Sequence, residues 1–313
     1  MTETEFTYLN HFRLEEMPFT LTPNTAFCYA HQSHQEALNV LLVGIHNHEG
    51  FLKITGEVGT GKTLLCRTLL KHLRDHFVTC YILNPNISPE GLLYTLASEL
   101  HIDTNEQRSI PDLQHAITQK LLHYYQNNRP VILLIDEAQS MPVETLETLR
   151  LLTNLETEKQ KLLQIILFGQ PELNTLLERD DLRQLKQRIT FSYSLCPLPE
   201  KDLHAYLDHR LKAAGYRYSD LFTKKAKKSL YKASEGIPRV INILSHKALL
   251  SAYGRNEPVV NHKHILNAIY DSKEIAQTPK ASKRGLQAIL AALTMIGLSL
   301  AFLVLKHHLS GLL

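Results

Sequence analysis

Residues 56–63 read Gly56-Glu57-Val58-Gly59-Thr60-Gly61-Lys62-Thr63, the spacing GxxxxGK[ST], and Leu64 follows. The apolar run Phe51-Leu52-Lys53-Ile54-Thr55 leads into it, and helical periodicity runs from about 61 to 76. The stretch therefore joins a buried strand to a helix. Its glycines let the backbone curl until successive N–H groups point at one centre, and the helix N-terminus adds a field that favours negative charge. Such a turn cradles phosphate oxygens. Lys62 is long enough to reach the β- and γ-phosphates of a nucleoside triphosphate, and the Thr63 hydroxyl can take a Mg²⁺ coordination position. Residues 56–64, Leu64 included, are thus the expected nucleotide-binding segment.

About 70 residues further on, Val131-Ile132-Leu133-Leu134-Ile135 ends in Asp136-Glu137. A continuous apolar run of this length reads as a central strand covered on both faces. Coupled to the phosphate loop, Asp136 is expected to hold Mg²⁺ together with Thr63. Glu137 is expected to polarise the water that attacks the γ-phosphate. FVTCYIL (77–83), LLQIILF (162–168) and ITFSYSL (189–195) supply three more strands. Amphipathic helices lie near 88–101 and 112–127, and another follows Pro142 with Leu146, Leu149 and Leu152. Strands alternating with helices predict an α/β fold, a parallel sheet wrapped by helices.

The pattern changes at Pro197-Leu198-Pro199. Beyond it only helices can be read, near 199–214, 223–234, 238–253 and 261–271, which predicts a small all-helical domain. Residues 272–285, SKEIAQTPKASKRG, are polar and basic and read as a linker. From Gly285 to Leu305 no residue is charged, and 21 residues suffice for a hydrocarbon core of ~30 Å. Lys280, Lys283 and Arg284 precede this run and Lys306 alone follows it, apart from His307 and His308. The excess of positive charge before the span puts the main body in the cytoplasm. The expected domains are 1–198, 199–272, a linker 273–284, a transmembrane helix 285–305 and a short tail 306–313.

A net charge of +3 is nearly balanced and demands no nucleic-acid partner. Cys28, Cys66, Cys80 and Cys196 have no CxxC spacing and read as buried free thiols in a reducing compartment. The seventeen histidines make no HExxH and read as polar surface residues rather than metal ligands.

GEVGTGKT, LLIDEAQ and Phe168-Gly169-Gln170-Pro171-Glu172-Leu173 together resemble the AAA+ ATPases of the ExeA or general secretion pathway protein A group. The opening Met17-Pro18-Phe19-Thr20-Leu21-Thr22-Pro23-Asn24, with His34-Gln35-Glu36-Ala37-Leu38 after it, looks like that group's opening, and the match covers nearly the whole chain. The resemblance implies a P-loop NTPase sheet followed by a helical lid, with ATP and Mg²⁺ as cofactors. It implies that Gln170 is a polar sensor for the γ-phosphate or the attacking water. It makes Arg188, with Arg183 in reserve, a finger that enters a neighbouring subunit's site, a contribution of ~10³–10⁵ in rate. Glu235-Gly236-Ile237-Pro238-Arg239-Val240-Ile241-Asn242 is similar to the group's second sensor, GxPRxxN, with Arg239 in the first turn of a helix. Pro18 to Pro23 would then pack near the adenine.

The function so implied is a membrane-anchored ATPase of the bacterial inner membrane, single-pass, with its ATPase domain cytoplasmic. It would act as a homo-oligomer on pilus or secretion-apparatus proteins of a type IV-like (MSHA) pilus. A DNA-handling ATPase is the alternative, with Lys224-Lys225-Ala226-Lys227-Lys228 supplying phosphate contacts, though a nucleic-acid partner is the less expected one. A nucleotide-operated scaffold with little turnover is a third reading.

Overall fold

The computed structural model describes residues 8–272 except 23, 28, 30, 104–108 and 158–159. Five strands form one sheet: β1 (Phe51–Gly56), β2 (Val78–Ile82), β3 (Val131–Ile135), β4 (Leu163–Gly169) and β5 (Ile189–Leu195). Their order is β2-β3-β4-β1-β5 and every pairing is parallel. The helices are α1 (Leu9–Phe12), α2 (Gln32–His46), α3 (Lys62–Leu73), α4 (Pro89–Glu99), α5 (Ile110–Gln126), α6 (Val143–Leu152), α7 (Glu172–Leu177), α8 (Arg183–Arg188), α9 (Leu203–Ala213), α10 (Lys224–Ser234), α11 (Pro238–Tyr253) and α12 (His262–Tyr270). The parallel sheet wrapped by helices is the architecture that the sequence predicts.

Alternation along each strand divides the apolar residues between two cores. Val131, Leu133 and Ile135 meet Leu92 and Leu96 of α4, Leu113 and Ile117 of α5, and Leu146 and Leu149 of α6. Ile132 and Leu134 point the other way, to Ala37 and Leu41 of α2 and Leu65 and Leu69 of α3. All five residues of β3 are buried for this reason, each side chain contributing about 1.5–3 kcal/mol. At the sheet edge β5 alternates, with Phe191 and Tyr193 packed on the α2–α3 side. Ser88 and Ser109 cap α4 and α5 by accepting from Gly91 N and Asp112 N, each with a proline in the first turn.

A third core belongs to α9–α12, where Leu207, Leu211, Leu230, Ile241, Leu244 and Ile265 meet. Tyr8, Phe12, Leu14, Phe19 and Phe27 of the N-terminal segment pack into it as well. Arg210 secures that segment: its Nε donates to Pro18 O at 2.7 Å and its guanidinium lies 5.2 Å from the Phe27 ring centre. The described residues from Tyr8 to Ile269 lie within one compact unit.

The single-pass inner-membrane localisation is corrected. Among the described residues no helix is long and apolar enough to cross a membrane. The longest described helix, α5, has 17 residues, about 25 Å against a hydrocarbon core of ~30 Å, and it buries only one face, through Leu113, Ile117 and Leu121. The linker 273–284, the span 285–305 and the tail 306–313 lie outside the described residues. Two readings of single residue types also change. Cys66 and Cys80 are buried, but Cys196 is exposed, and Cys28 lies outside the described residues. His31, His34 and His264 are buried rather than on the surface.

Candidate nucleotide site

The phosphate loop leaves β1 and enters α3, with Gly59 at φ 84° and Gly61 at φ 100°. These are left-handed conformations in which glycine carries no penalty. At Gly59 space is also decisive, since a Cβ there would lie 2.5 Å from Arg239 Cβ. Thr60 is fully buried and ties the turn internally, its Oγ1 donating to Glu57 O at 2.9 Å. Lys62 lies 6% exposed, its Nζ donating to Gly56 O at 2.8 Å and Glu57 O at 3.1 Å. Burial pushes its pKa down, and Glu137, Asp136, Glu57 and Glu172 oppose that shift. The ammonium is thus held at the centre of the loop, where phosphate oxygens would replace carbonyl acceptors.

Asp136 stands at the end of β3 and is 1% exposed. Its Oδ2 accepts from Thr63 Oγ1 at 2.7 Å and from Tyr81 OH at 3.4 Å, while Oδ1 accepts from Glu137 N at 3.0 Å. Two hard oxygen donors therefore converge from the loop and from β3, a donor set that suits Mg²⁺ held partly through water. Tyr81, whose phenol pKa burial pushes up, is a neighbour of this pair that sequence reading missed.

Glu137 adopts φ 53°, ψ 36° and lines the same cavity as Lys62 and Thr63. Its Oε2 accepts from Gln170 Nε2 at 2.9 Å and from Gln139 Nε2 at 2.5 Å. Burial would raise its pKa, but hydrogen bonds from Gln170 and Gln139 and the charge of Lys62 hold it below the usual carboxylate range. Gln170 thus meets Glu137 directly. Gln139, unmarked in the sequence reading, meets both.

Arg239 lies in the first turn of α11, and its backbone N–H donates to Gly59 O at 3.2 Å. Its exposed side chain lines the cavity with Asn242, whose Oδ1 accepts from Tyr206 OH at 2.8 Å. Thr20, Leu21, Thr22 and Asn24 line it too, whereas Pro18 meets Arg210 and Pro23 lies outside the described residues. Arg188 sits apart from the cavity. Its Nη1 donates to Arg150 O and Thr153 Oγ1, both at 2.8 Å, and so caps α6. Arg183 is exposed at the start of α8.

His34 buttresses the loop from α2. Its Nε2 lies 2.9 Å from Thr60 O, its ring packs 4.4 Å from that of His31, and it is 7% exposed. Burial, with His31 adding to it, lowers its pKa to about 4 against the opposing hydrogen bond to Thr60. An unfolded histidine titrates near 6.5, so between those values the unfolded chain binds the extra proton. Stability is complete above about pH 6.5 and falls as pH drops toward about 4. The loss is about 3 kcal/mol. Urea unfolding at several pH values will show a shallower acid slope in His34→Gln than in wild type; identical slopes reject this assignment.

An AAA domain matches residues 45–177. General secretion pathway protein A of Aeromonas hydrophila is 41% identical over 264 residues, 84% of this chain and 48% of that protein, so the chain spans about half of this relative's length. Among solved structures, Cdc6p from Pyrobaculum aerophilum aligns with a TM-score of 0.61 at 15% identity, covering 79% of this chain and 70% of that one. A Drosophila ORC structure bound to DNA aligns with a TM-score of 0.60 at 18% identity, covering 95% of this chain and 75% of that one. At such identities these two share the fold alone. Residues 45–177 thus carry an AAA domain, and over 264 residues the chain is similar to general secretion pathway protein A.

Proposed function

We propose that the chain binds ATP with Mg²⁺, hydrolyses it in a homo-oligomer, and uses the cycle to drive assembly of a secretion apparatus or a type IV-like (MSHA) pilus. The finer likeness is to the MSHA pilus biogenesis protein MshM. The observation that carries the chemistry is the convergence of Lys62, Thr63, Asp136 and Glu137 at the ends of β1 and β3. Ligands of parallel α/β sheets bind at the carboxyl ends of their strands.

In this reading residues 1–198 form the nucleotide-binding domain and 199–272 a lid. The amides of 56–64 and Lys62 grip the phosphates, and Thr63 and Asp136 hold Mg²⁺, which would neutralise charge on the transferring phosphoryl group. Glu137 takes the proton of the attacking water, and Gln170 orients that water or the γ-phosphate. Arg239 couples the position of α11 to the nucleotide through its contact with Gly59. Arg188 serves a neighbouring subunit after releasing Arg150 O and Thr153, with Arg183 as the exposed substitute.

Lys62→Ala removes the one ammonium inside the loop and is expected to weaken Mg·ATP binding about 100-fold, some 2–3 kcal/mol for a charge-assisted contact. A fluorescent ATP analogue measures this directly, and wild-type affinity in the variant rejects the site. The interfacial part is tested by rate against protein concentration, and full ATPase activity in a verified monomer rejects it. Capture of pilus or secretion proteins by a variant arrested in its ATP state tests the output.

A DNA-handling reading is favoured by one observation: Lys224, Lys228 and Lys232 are exposed along one face of α10, with Lys225 beside them, while Lys227 is engaged by Asp220. Stimulation of the ATPase by DNA, weakening steeply with salt, would select it.

A further inference from the structure

The two glutamines around Glu137 differ in what they join. Gln139 lies in the turn after β3, and its carboxamide is used at both ends. Its Oε1 accepts from Gln170 N at 2.9 Å and its Nε2 donates to Glu137 Oε2 at 2.5 Å. Only one orientation of the amide satisfies a backbone donor on one side and a carboxylate acceptor on the other. A Cβ at Gly169 would lie 2.7 Å from Leu173 Cδ2 and 3.3 Å from Gln139 Oε1, so both side chains sit close against the end of β4. Ala138, between Glu137 and Gln139 in the sequence, is fully buried, and the turn is closed by Ser140 N donating to Glu137 O at 2.9 Å.

We propose that Gln139 is a positioning residue that ties the Glu137 carboxylate to the end of β4 by bridging it to the Gln170 backbone. The proposal rests on the reading of Glu137 as the group that activates water. With both amides on Oε2, Oε1 has no hydrogen-bond partner among the described residues and is the oxygen left for that water. A free carboxylate in this turn has several rotamers, and the bridge selects one of them. Because the same side chain holds the backbone at Gln170, a shift of β4 moves the carboxylate with it.

Two variants of the full-length chain separate the two ends of the bridge. Gln139→Met is close in length and makes neither bond. Gln139→Glu keeps an acceptor for Gln170 N–H but cannot donate to Glu137 and repels it. In Gln139→Met, hydrogen exchange at Gln170 N–H accelerates and kcat falls about tenfold, part of the ~10²–10⁴ a general base supplies. KM for ATP stays within about twofold, because the bridge touches no part of the phosphate grip. In Gln139→Glu, Gln170 N–H stays protected while kcat falls at least as far. Wild-type kcat in Gln139→Met, unchanged exchange at Gln170, or a loss carried by KM overturns the proposal. Glu137→Gln is measured in parallel: if it turns over like wild type, the reading of Glu137 fails, and the exchange data decide separately whether the bridge exists.

Discussion

Glu137→Gln is expected to lower ATP turnover about 1,000-fold while Mg·ATP binding stays within about twofold, the middle of the ~10²–10⁴ range for a positioned general base. The substitution keeps size and shape. Its amide oxygen can still accept from Gln139 and Gln170, so the turn at φ 53° and the wall of the cavity persist. What disappears is an atom able to take a proton. The grip on the nucleotide is spared because Lys62 draws its contacts from Gly56 and Glu57, and Thr63 from Asp136. Single-turnover phosphate release at saturating ATP measures the chemistry without interference from product release. A rate within tenfold of wild type, with binding intact, would remove Glu137 from the catalytic role and turn attention to the third reading, a scaffold that rarely turns over.

The sheet was legible because its central strands contain almost nothing but apolar letters. VILLI allows no second interpretation when a phosphate loop precedes it and two acids follow, and β3 is buried at every position. The site's backbone frame was legible for a related reason: glycines and a proline at fixed spacing are demanded by conformation, and Pro238 does open α11. What escaped was polar chemistry in buried places. His31 and His34 look like surface residues by type, yet they stand buried at the start of α2, packed against each other, and His34 meets the loop at Thr60. Gln139 carries no signal of its own; its role exists only because β3 and β4 end side by side, with Ile135 opposite Leu167. The short helices α7 and α8, six residues each, are below the length at which periodicity can be counted. Arg188 shows the limit from the other side. It directly precedes β5, but no pattern in one sequence reveals that it bonds the end of α6.

Gly236→Ala is expected to destabilise the chain by about 2–5 kcal/mol, as the sum of left-handed strain and backbone overlap. Gly236 has φ 77°, where any Cβ is strained, and that Cβ would lie 2.0 Å from Leu198 O, with Leu198 C at 3.1 Å. The atoms in the way are backbone, so no rotamer change relieves the contact. Nor can the two segments part cheaply, since Leu198 N donates to Gly236 O at 2.8 Å and Leu198 is fully buried. This pairing sets where Pro238 begins α11, and hence where Arg239 N meets Gly59 O. Any protein that does fold should therefore bind nucleotide more weakly, through displacement of a helix rather than loss of a ligand. Gly254→Ala is the control. It sits at φ −61°, with its nearest atom, Leu250 O, 3.5 Å from the added carbon, and should cost nothing or stabilise slightly. Urea midpoints of the two variants against wild type decide the matter. Equal midpoints for Gly236→Ala and Gly254→Ala would mean that the joint between β5 and α11 yields easily and does not fix the helix that carries Arg239.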